Sequence, residues 1–257
     1  MNDELLLRFG KTIQTLDDFP GWIDATPFIE SIVSQHGYKR IADIGGGANP
    51  IISCDFARKN GLDYCLVDIS RDELDKAPAH YTNKICIDLT APTATFLRAI
   101  DKKEFDLVFS HMFLEHVRTP VQAHKNIHSL LKPGGIAVHF YPTPYNLPLA
   151  LNRVLPERLT TAMIKISQPE RDLEGHLGKF RAYYKMCGNP GKALHQKFEN
   201  MGYTVLAHTG FVGHRYYNRI PILRDIEFAL RPLLARFSIG MTSAQLLILK
   251  KSQQSPQ

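Results

Sequence analysis

Between Arg40 and Gly135 the sequence alternates short apolar runs with helix-like stretches, and this alternation restricts the fold more than any other feature. The apolar runs read RIADIG, DYCLVDI, NKICIDL, FDLVFSH and GIAVHFY. Strands that are apolar on both faces are typical of a parallel sheet covered by helices on each side. Two further runs, YTVLAH and AQLLILKK, follow nearer the carboxyl end, and we expect them to form an antiparallel, hairpin-like end of the sheet.

These patterns predict an α/β fold. We expect a Rossmann-like, seven-stranded, mostly parallel sheet with an antiparallel last strand, helices on both faces, and a helical cap and insertions. The chain has 257 residues, of which 44% are hydrophobic, so it is long enough to build one such domain around a packed core.

Charge and targeting signals narrow the function classes. The net charge is +6, but basic and acidic residues are interleaved, which favours an ordinary solvated surface over a nucleic-acid interface. The start, MNDELLLRFGKT, lacks the pattern of a signal peptide, and no apolar run approaches the roughly 20 residues of a membrane span. We therefore expect a soluble, cytoplasmic protein. The cysteines are scattered without metal or disulfide spacing, so no metal site is predicted: Cys54, Cys65, Cys86 and Cys187.

The segment DIGGGANP, residues 43–50, lies between a predicted strand and a predicted helix. Its glycines allow the backbone to turn with positive φ and to approach a ligand where a Cβ would clash. Asn49 suits the N-cap of the following helix and Pro50 its first position, and the free N–H groups of that helix would point towards the ligand. The loop therefore predicts a site for a nucleotide-type ligand.

Two carboxylates lie at the ends of the next strands. Asp68 ends the second strand, where a carboxylate can accept hydrogen bonds from ribose hydroxyls. Asp88 ends the third strand, where it could accept from an adenine amino group. A nicotinamide dehydrogenase is the obvious rival, but its fingerprint has a third glycine where this chain has Pro50.

Taken together, DIGGGANP, VDIS, CIDLT, FDLVFSHMFLEHV and LLKPGG resemble the ordered motifs of class I S-adenosylmethionine-dependent methyltransferases. The resemblance is to the small-molecule and glycan branch (methyltransferase type 11-like) and is close from Ile41 to Tyr141. It implies an enzyme that binds S-adenosylmethionine and releases S-adenosylhomocysteine.

The same resemblance implies a set of cofactor-binding residues. The glycine loop and Asp43 would hold the methionine end, Asp68 and Ile69 the ribose and adenine, and Ser110 and His111 would lie beside the sulfonium. Asp88 and Leu89 would flank the adenine. The full expected set is Asp43, Gly45, Gly46, Gly47, Asn49, Asp68, Ile69, Asp88, Leu89, Ser110 and His111.

We predict a single domain, 1–257, with four parts. A helical N-terminal cap (1–38) precedes the cofactor-binding core (39–142) and an acceptor-covering insertion (143–188). A C-terminal helix and strands (189–250) follow and contain a second insertion (209–241).

Methyl transfer requires the acceptor to lie in line with the methyl carbon, and a general base helps when the acceptor is a hydroxyl. His116 in LEHV is the first candidate base and His111 the second; the alternative for His116 is that it fixes its loop. No metal-ligand spacing is present, so metal-independent transfer is expected. The candidate acceptor-binding residues are Tyr141, Tyr145, His176, Tyr183 and Tyr184.

The predicted function is O-methylation of a glycan or small metabolite, with N- and C-methylation left open. The alternatives are an NAD(P)-dependent Rossmann oxidoreductase and a non-catalytic cofactor-binding partner subunit. Nucleic acid is not an expected partner, because His111-Met112-Phe113-Leu114 stands where DNA methyltransferases have an Asn/Asp-Pro-Pro-aromatic tetrapeptide.

The segment PILRDIEFALRPLLARF carries an apolar stripe at helical spacing. Such a stripe could rest at a membrane surface and serve an acceptor on a lipid carrier. Packing of the stripe on the sheet, or against a second copy in a homodimer, is the favoured alternative, and Pro232 is expected to interrupt the helix. The stripe consists of Ile222, Ile226, Leu230, Leu233 and Phe237.

Overall fold

The computed structural model describes residues 9–10, 12–22, 24–101, 104–146, 181–214, 217–218 and 220–252. Its eight strands are β1 (Ile13–Thr15), β2 (Arg40–Ile44), β3 (Asp63–Asp68), β4 (Lys84–Cys86), β5 (Phe105–His111), β6 (Leu131–Pro142), β7 (Tyr203–Val212) and β8 (Thr242–Lys251). Its helices are α1 (Ala25–His36), α2 (Cys54–Lys59), α3 (Arg71–Lys76), α4 (Thr93–Ala99), α5 (Pro120–Leu130), α6 (Lys192–Glu199) and α7 (Pro221–Arg236). Two 3₁₀ turns, Leu16–Asp18 and Leu114–His116, complete the described elements.

All eight strands form one sheet in the order β1-β7-β8-β6-β5-β2-β3-β4. Strand β8 is antiparallel to both of its neighbours, whereas the other paired strands are parallel. The predicted Rossmann-like fold with an antiparallel last strand is therefore confirmed. Because β2, β3 and β5 are parallel neighbours, their carboxyl ends meet at one edge of the sheet, where ligands bind in folds of this kind.

The amino-terminal segment differs from the prediction. Residues 13–15 were expected to be helical, but they form β1, an eighth strand that pairs in parallel with β7. Ile13 and Thr15 are β-branched, and such residues favour the extended backbone. Helix α1 is the helical part of the segment, and it ends at Gly37, whose φ of 62° is the left-handed conformation that glycine adopts at helix ends.

The start of α2 also differs from the prediction. The helix does not begin at Pro50: Asn49 is part of the loop, where it donates its N–H to the Gly46 carbonyl (2.9 Å), and residues 50–53 are not helical. The N-cap is Ser53 instead, whose hydroxyl accepts the Phe56 N–H at 3.3 Å. By contrast, α5 begins with proline at Pro120, as the sequence predicts.

Helices cover both faces of the sheet, and each face has its own core. One core contains aromatic residues from α1, β6 and β7, including Phe28, Phe140 and Phe211. The other lies under α4, α5 and α6 and contains Phe96 and Phe198. The sheet is therefore held rigidly between two apolar layers, with its edge free to build a site.

The carboxyl-terminal third departs from its predicted boundaries. Strand β7 runs to Val212, beyond the predicted strand end at residue 208, and α7 continues through Pro232 without a break. Most of the predicted insertion 143–188 lies outside the described residues. Within the described ranges, no helix has both the length and the apolar character needed to cross a bilayer.

Candidate functional site

A cavity of about 240 Å³ opens at the carboxyl edge of the sheet, where β2, β3 and β5 end. The loop after β2 forms one wall, and side chains from the ends of β3 and β5 and from α3 complete it. The lining residues are Asp43, Gly45, Gly46, Gly47, Ala48, Asn49, Ile51, Asp68, Glu73 and His111. The structure thus brings together seven residues of the expected cofactor set: Asp43, Gly45, Gly46, Gly47, Asn49, Asp68 and His111.

The glycines of the loop are required by close packing. Gly45 has a φ of 78°, and a Cβ at this position would overlap the Phe113 ring. A Cβ at Gly46 would lie 2.7 Å from Cγ of Asp43. The backbone therefore forms the wall of the cavity itself, which leaves its polar groups available to a ligand.

Asp43 is buried at the floor of the loop. Its Oδ2 accepts the Tyr64 hydroxyl at 2.6 Å and the Ile51 N–H at 3.3 Å. Burial raises the pKa of the Asp43 carboxyl to about 7, although these hydrogen bonds act in the opposite direction. A cation bound in the cavity would favour the charged form of this carboxyl.

Two more carboxylates lie on the β3 side of the cavity. Asp68 ends β3, and its Oδ1 accepts the Ser70 N–H at 2.8 Å. Burial raises the pKa of Asp68. Glu73 of α3 was not among the expected residues, although Ser70-Arg71-Asp72-Glu73 has the capping-box pattern. The Ser70 hydroxyl accepts the Glu73 N–H at 3.2 Å, so this cap places Glu73 beside the cavity.

His111 occupies the opposite wall. Its Nε2 is hydrogen-bonded to the carbonyl of Gly21, in the segment before α1. Its ring contacts Phe140 edge-on, with centroids 5.9 Å apart. The amino-terminal segment therefore contacts a residue of the cavity wall and fixes the orientation of this imidazole.

Four expected cofactor residues do not line the cavity. Ser110 is fully buried on the other side of β5, with Oγ 2.8 Å from Nδ1 of His139. Leu89 is buried in the core under α5. Asp88 uses its carboxylate in a turn, accepting from the Thr90 N–H and hydroxyl at 2.7 and 2.8 Å. Ile69 is 57% exposed next to Asp68.

A second group of predicted residues gathers beyond the end of β5. The carbonyl of Glu115 accepts the N–H groups of Tyr183 (2.7 Å) and Tyr184 (3.0 Å). Nε2 of His116 lies 3.6 Å from Oε1 of Glu115. His116, Tyr183 and Tyr184 are therefore close to one another, but none of them lines the cavity.

Glu115 itself is buried, and its Oε2 has no hydrogen-bond partner within the described part of the chain. Burial raises the pKa of this carboxyl to about 8. A carboxyl in such surroundings takes up a proton at neutral pH, because an isolated buried charge is costly.

The remaining acceptor candidates are separated. Tyr141 is wholly buried, with its hydroxyl 3.3 Å from Nε2 of His208, so its assignment to an acceptor pocket is wrong: it belongs to the core. Tyr145 is 37% exposed. His176 lies outside the described residues.

A protein-family model described as "Methyltransferase domain" matches residues 42–139. No curated protein sequence matches the chain. Similar solved structures include an S-adenosylmethionine-dependent methyltransferase from Archaeoglobus fulgidus, which is 16% identical over 90% of this chain and 97% of that chain, with a TM-score of 0.51. A proposed sarcosine dimethylglycine methyltransferase from Galdieria sulphuraria is 11% identical over 96% and 93%, with a TM-score of 0.53. The CurJ carbon methyltransferase is 13% identical over 91% of this chain and 56% of that chain, with a TM-score of 0.52. At these identities the structures show a shared fold.

The cavity fits the cofactor of this family. S-adenosylmethionine carries a sulfonium, an ammonium and a ribose diol, and the cavity presents three carboxylates, from Asp43, Asp68 and Glu73, next to a bare glycine backbone. The matched residues include the loop, Asp68, Glu73 and His111. This match favours methyl transfer over the hydride transfer of the NAD(P)-dependent oxidoreductase considered above. Residues 42–139 of this chain therefore match a methyltransferase domain, and the protein is an enzyme that uses S-adenosylmethionine.

Proposed function

We propose that the enzyme methylates a hydroxyl group of a small metabolite or glycan, with His111 as the general base. One observation carries this proposal: His111 lines the same cavity as the glycine loop and the three carboxylates. His116, the first candidate from the sequence, lies outside that lining. A base must reach the proton that it removes, so position favours His111.

The hydrogen bond to Gly21 selects the tautomer of His111. A carbonyl oxygen can only accept, so Nε2 carries the proton and Nδ1 of the neutral ring retains its lone pair. Such a nitrogen can take the proton of an acceptor hydroxyl as the new O–CH₃ bond forms. S-adenosylmethionine supplies a methyl group whose bond to sulfur breaks with both electrons remaining on sulfur.

The other residues of the cavity have positioning roles in this proposal. Asp43 and the loop hold the cationic end of the cofactor, and Asp68 and Glu73 hold its ribose. We place the acceptor beyond the end of β5, on the side of Glu115, because the segment with Tyr183 and Tyr184 is attached there by backbone hydrogen bonds and follows His111 and the cavity along that strand end. Aromatic rings with polar ends suit a ligand that has both apolar faces and hydroxyl groups, such as a sugar.

The fold by itself leaves the acceptor atom open, since the similar structures include a carbon methyltransferase. A hydroxyl is favoured because it must lose a proton as it attacks, whereas an unprotonated amine can attack directly. Nδ1 of His111 is a basic nitrogen in the cavity that could accept this proton.

The test compares two histidine variants with sugars, phenols and amines as acceptors, with formation of S-adenosylhomocysteine as the readout. His111→Gln keeps an N–H donor for the Gly21 carbonyl but has no basic nitrogen. We expect kcat with a hydroxyl acceptor to fall by about 10²-fold or more, the usual contribution of a general base. Calorimetry should give unchanged cofactor affinity.

His116→Gln is the matched control and should retain most of the activity. Full turnover by His111→Gln would remove His111 from catalysis. Methylation of amines alone would refute a hydroxyl acceptor while leaving the cofactor site intact.

A further inference from the structure

Helix α7 has its polar side inward and its apolar side outward. Its single buried residue is Arg231, which is 6% exposed. The apolar stripe predicted from the sequence faces solvent: Ile222 is 75% exposed and Phe237 68%. Helices at the surface of a globular protein ordinarily bury such a stripe, so this orientation needs an explanation.

The orientation is fixed by an ion-pair cluster. The Arg231 guanidinium donates to Oε2 of Glu227 at 2.8 Å and to Oδ1 of Asp17 at 2.9 Å. It also donates to the His214 carbonyl at 2.8 Å. Rotation of α7 about its axis would separate Arg231 from these carboxylates and leave a buried charge without a partner. The cluster therefore keeps the apolar stripe directed away from the protein.

The exposed apolar area is concentrated in one place. Of the thirteen large hydrophobic side chains that are exposed among the described residues, nine lie between Ile220 and Ile239. Packing of the stripe on the sheet, one of the two favoured expectations, is therefore wrong, and the other, packing against a second copy, stays a prediction. Contiguous exposed apolar surface of this kind marks an interaction site.

Charge and position indicate what this surface binds. The sequence from His214 to Gly240 contains five arginines and only two acidic residues, so its net charge is +3. This is half of the net charge of +6 of the whole chain. Apolar and aromatic side chains bordered by arginine are the combination that lies at the surface of an anionic bilayer. The helix follows the carboxyl end of β7, the same edge of the sheet that carries the cavity.

We propose that α7 is a peripheral docking surface for an anionic lipid bilayer, with the stripe of Ile222, Ile226, Leu230, Leu233 and Phe237 in the interfacial layer. A second copy of this chain fits less well, because a two-fold contact through the same surface would bring two positively charged segments together. This inference is independent of the acceptor proposed above.

The experiment measures co-sedimentation of the full chain with two kinds of vesicle, phosphatidylcholine alone and phosphatidylcholine mixed with an equal amount of phosphatidylglycerol. We expect binding to the anionic vesicles that weakens as salt is raised. The double variant Ile226→Asp/Leu230→Asp should reduce the partition coefficient by about tenfold or more, because it removes apolar area from the lipid contact.

Val121→Asp is the matched control, since Val121 is 48% exposed on a different helix, and it should bind vesicles like the parent. Calorimetry with S-adenosylhomocysteine should show that the variants keep their folded cofactor site. Equal binding to neutral vesicles, no binding to either kind, or a dimer in ultracentrifugation that the double variant dissociates would each overturn the proposal.

Discussion

At the scale of single residues, the site depends on a few side chains whose neighbours determine their chemistry. Strand alternation explains one of the incorrect expectations: adjacent residues of a strand point to opposite faces, so Ser110 and His111 cannot both enter the cavity. His111 does, and Ser110 faces His139. Strand geometry therefore requires that only one of the two residues faces the ligand, but the sequence alone does not say which one.

Gly45→Ala tests the loop. The new Cβ would be strained at a φ of 78° and would overlap Phe113, so the wall of the cavity must shift. We expect the affinity for S-adenosylhomocysteine, measured by calorimetry, to fall by about tenfold or more, because a shift of the wall disturbs several backbone contacts at once. Gly61→Ala is the control, since Gly61 has a φ of 59° but no atom of the described residues lies within 4 Å of the added Cβ. Equal losses in the two variants would show that backbone strain alone is responsible.

Asp43→Asn tests the coupling of charge to cofactor binding. In the parent, affinity for the cationic cofactor should decrease as the pH falls through about 7, the pKa of Asp43, because the carboxylate becomes neutral. The variant should bind weakly and with no such dependence. A titration series by calorimetry from pH 5.5 to pH 8.5, about 1.5 units either side of that pKa, measures the difference. Parallel pH profiles for parent and variant would contradict the role of Asp43.

The same carboxyl affects the stability of the free protein. Its folded pKa lies above the ordinary 3.8, so the folded state binds more protons than the unfolded state between these values. Its contribution to stability is therefore present at low pH and is lost as the pH rises through about 7. Asp43→Asn should consequently melt at a higher temperature than the parent at pH 8, above that pKa, while binding the cofactor less well.

At the scale of elements, the sequence predicts the strands of the core well and the segments around them poorly. Four of the five strands between Arg40 and Pro142 have five or more residues, and the fifth, β4, is short but lies within the apolar run NKICIDL. By contrast, β1 has three residues and no pattern of its own. Strand β1 exists because β7 offers it a partner, which is tertiary information. Helix α2 begins later than Asn49-Pro50 indicates, and its N-cap is Ser53, because both residues belong to the loop that lines the cavity or its continuation.

Arg231→Met tests how α7 is attached. The substitution leaves Glu227, which is largely buried, without its ion-pair partner, and breaking such a pair costs about 3–5 kcal/mol. We expect amide hydrogen exchange to accelerate across α7 while the strands of the core stay protected. Arg224→Met is the control, because Arg224 forms an exposed ion pair with its neighbour Asp225. Unchanged exchange in Arg231→Met would show that other contacts hold the helix.

At the scale of the whole molecule, the second core contains histidines that sequence patterns cannot locate. His124 and His139 are both buried, with ring centroids 5.5 Å apart. Helical spacing places His124 on the same face as Ile127, but its burial depends on α6 and β7, which contribute Phe198 and Tyr203. The alternation of strands and helices in the sequence predicts the fold. The burial of His124 and His139 depends on packing between elements that are distant in the sequence, so the sequence does not predict it.

His124→Leu tests the effect of these histidines on acid stability. Burial lowers the pKa of His124 from 6.5 to about 4, so between these values the unfolded chain binds protons that the folded protein does not. The free energy of unfolding should therefore decrease as the pH falls from 6.5 towards 4. Urea unfolding near pH 6.5 and near pH 4 should show a smaller decrease in His124→Leu than in the parent, with His80→Leu at an exposed position as the control. An identical decrease in all three proteins would contradict this assignment.

The short segment from Phe9 to Trp22 connects three distant parts of the protein. It supplies the edge strand beside β7, the Asp17 carboxylate for Arg231 and the Gly21 carbonyl for His111. A truncation that began the chain at α1 would leave the hydrogen-bonding groups of β7 open to intermolecular pairing, loosen α7 and free the imidazole to rotate, all at once. Solubility, surface attachment and turnover would then fail together, although none of the described residues that precede α1 lines the cavity.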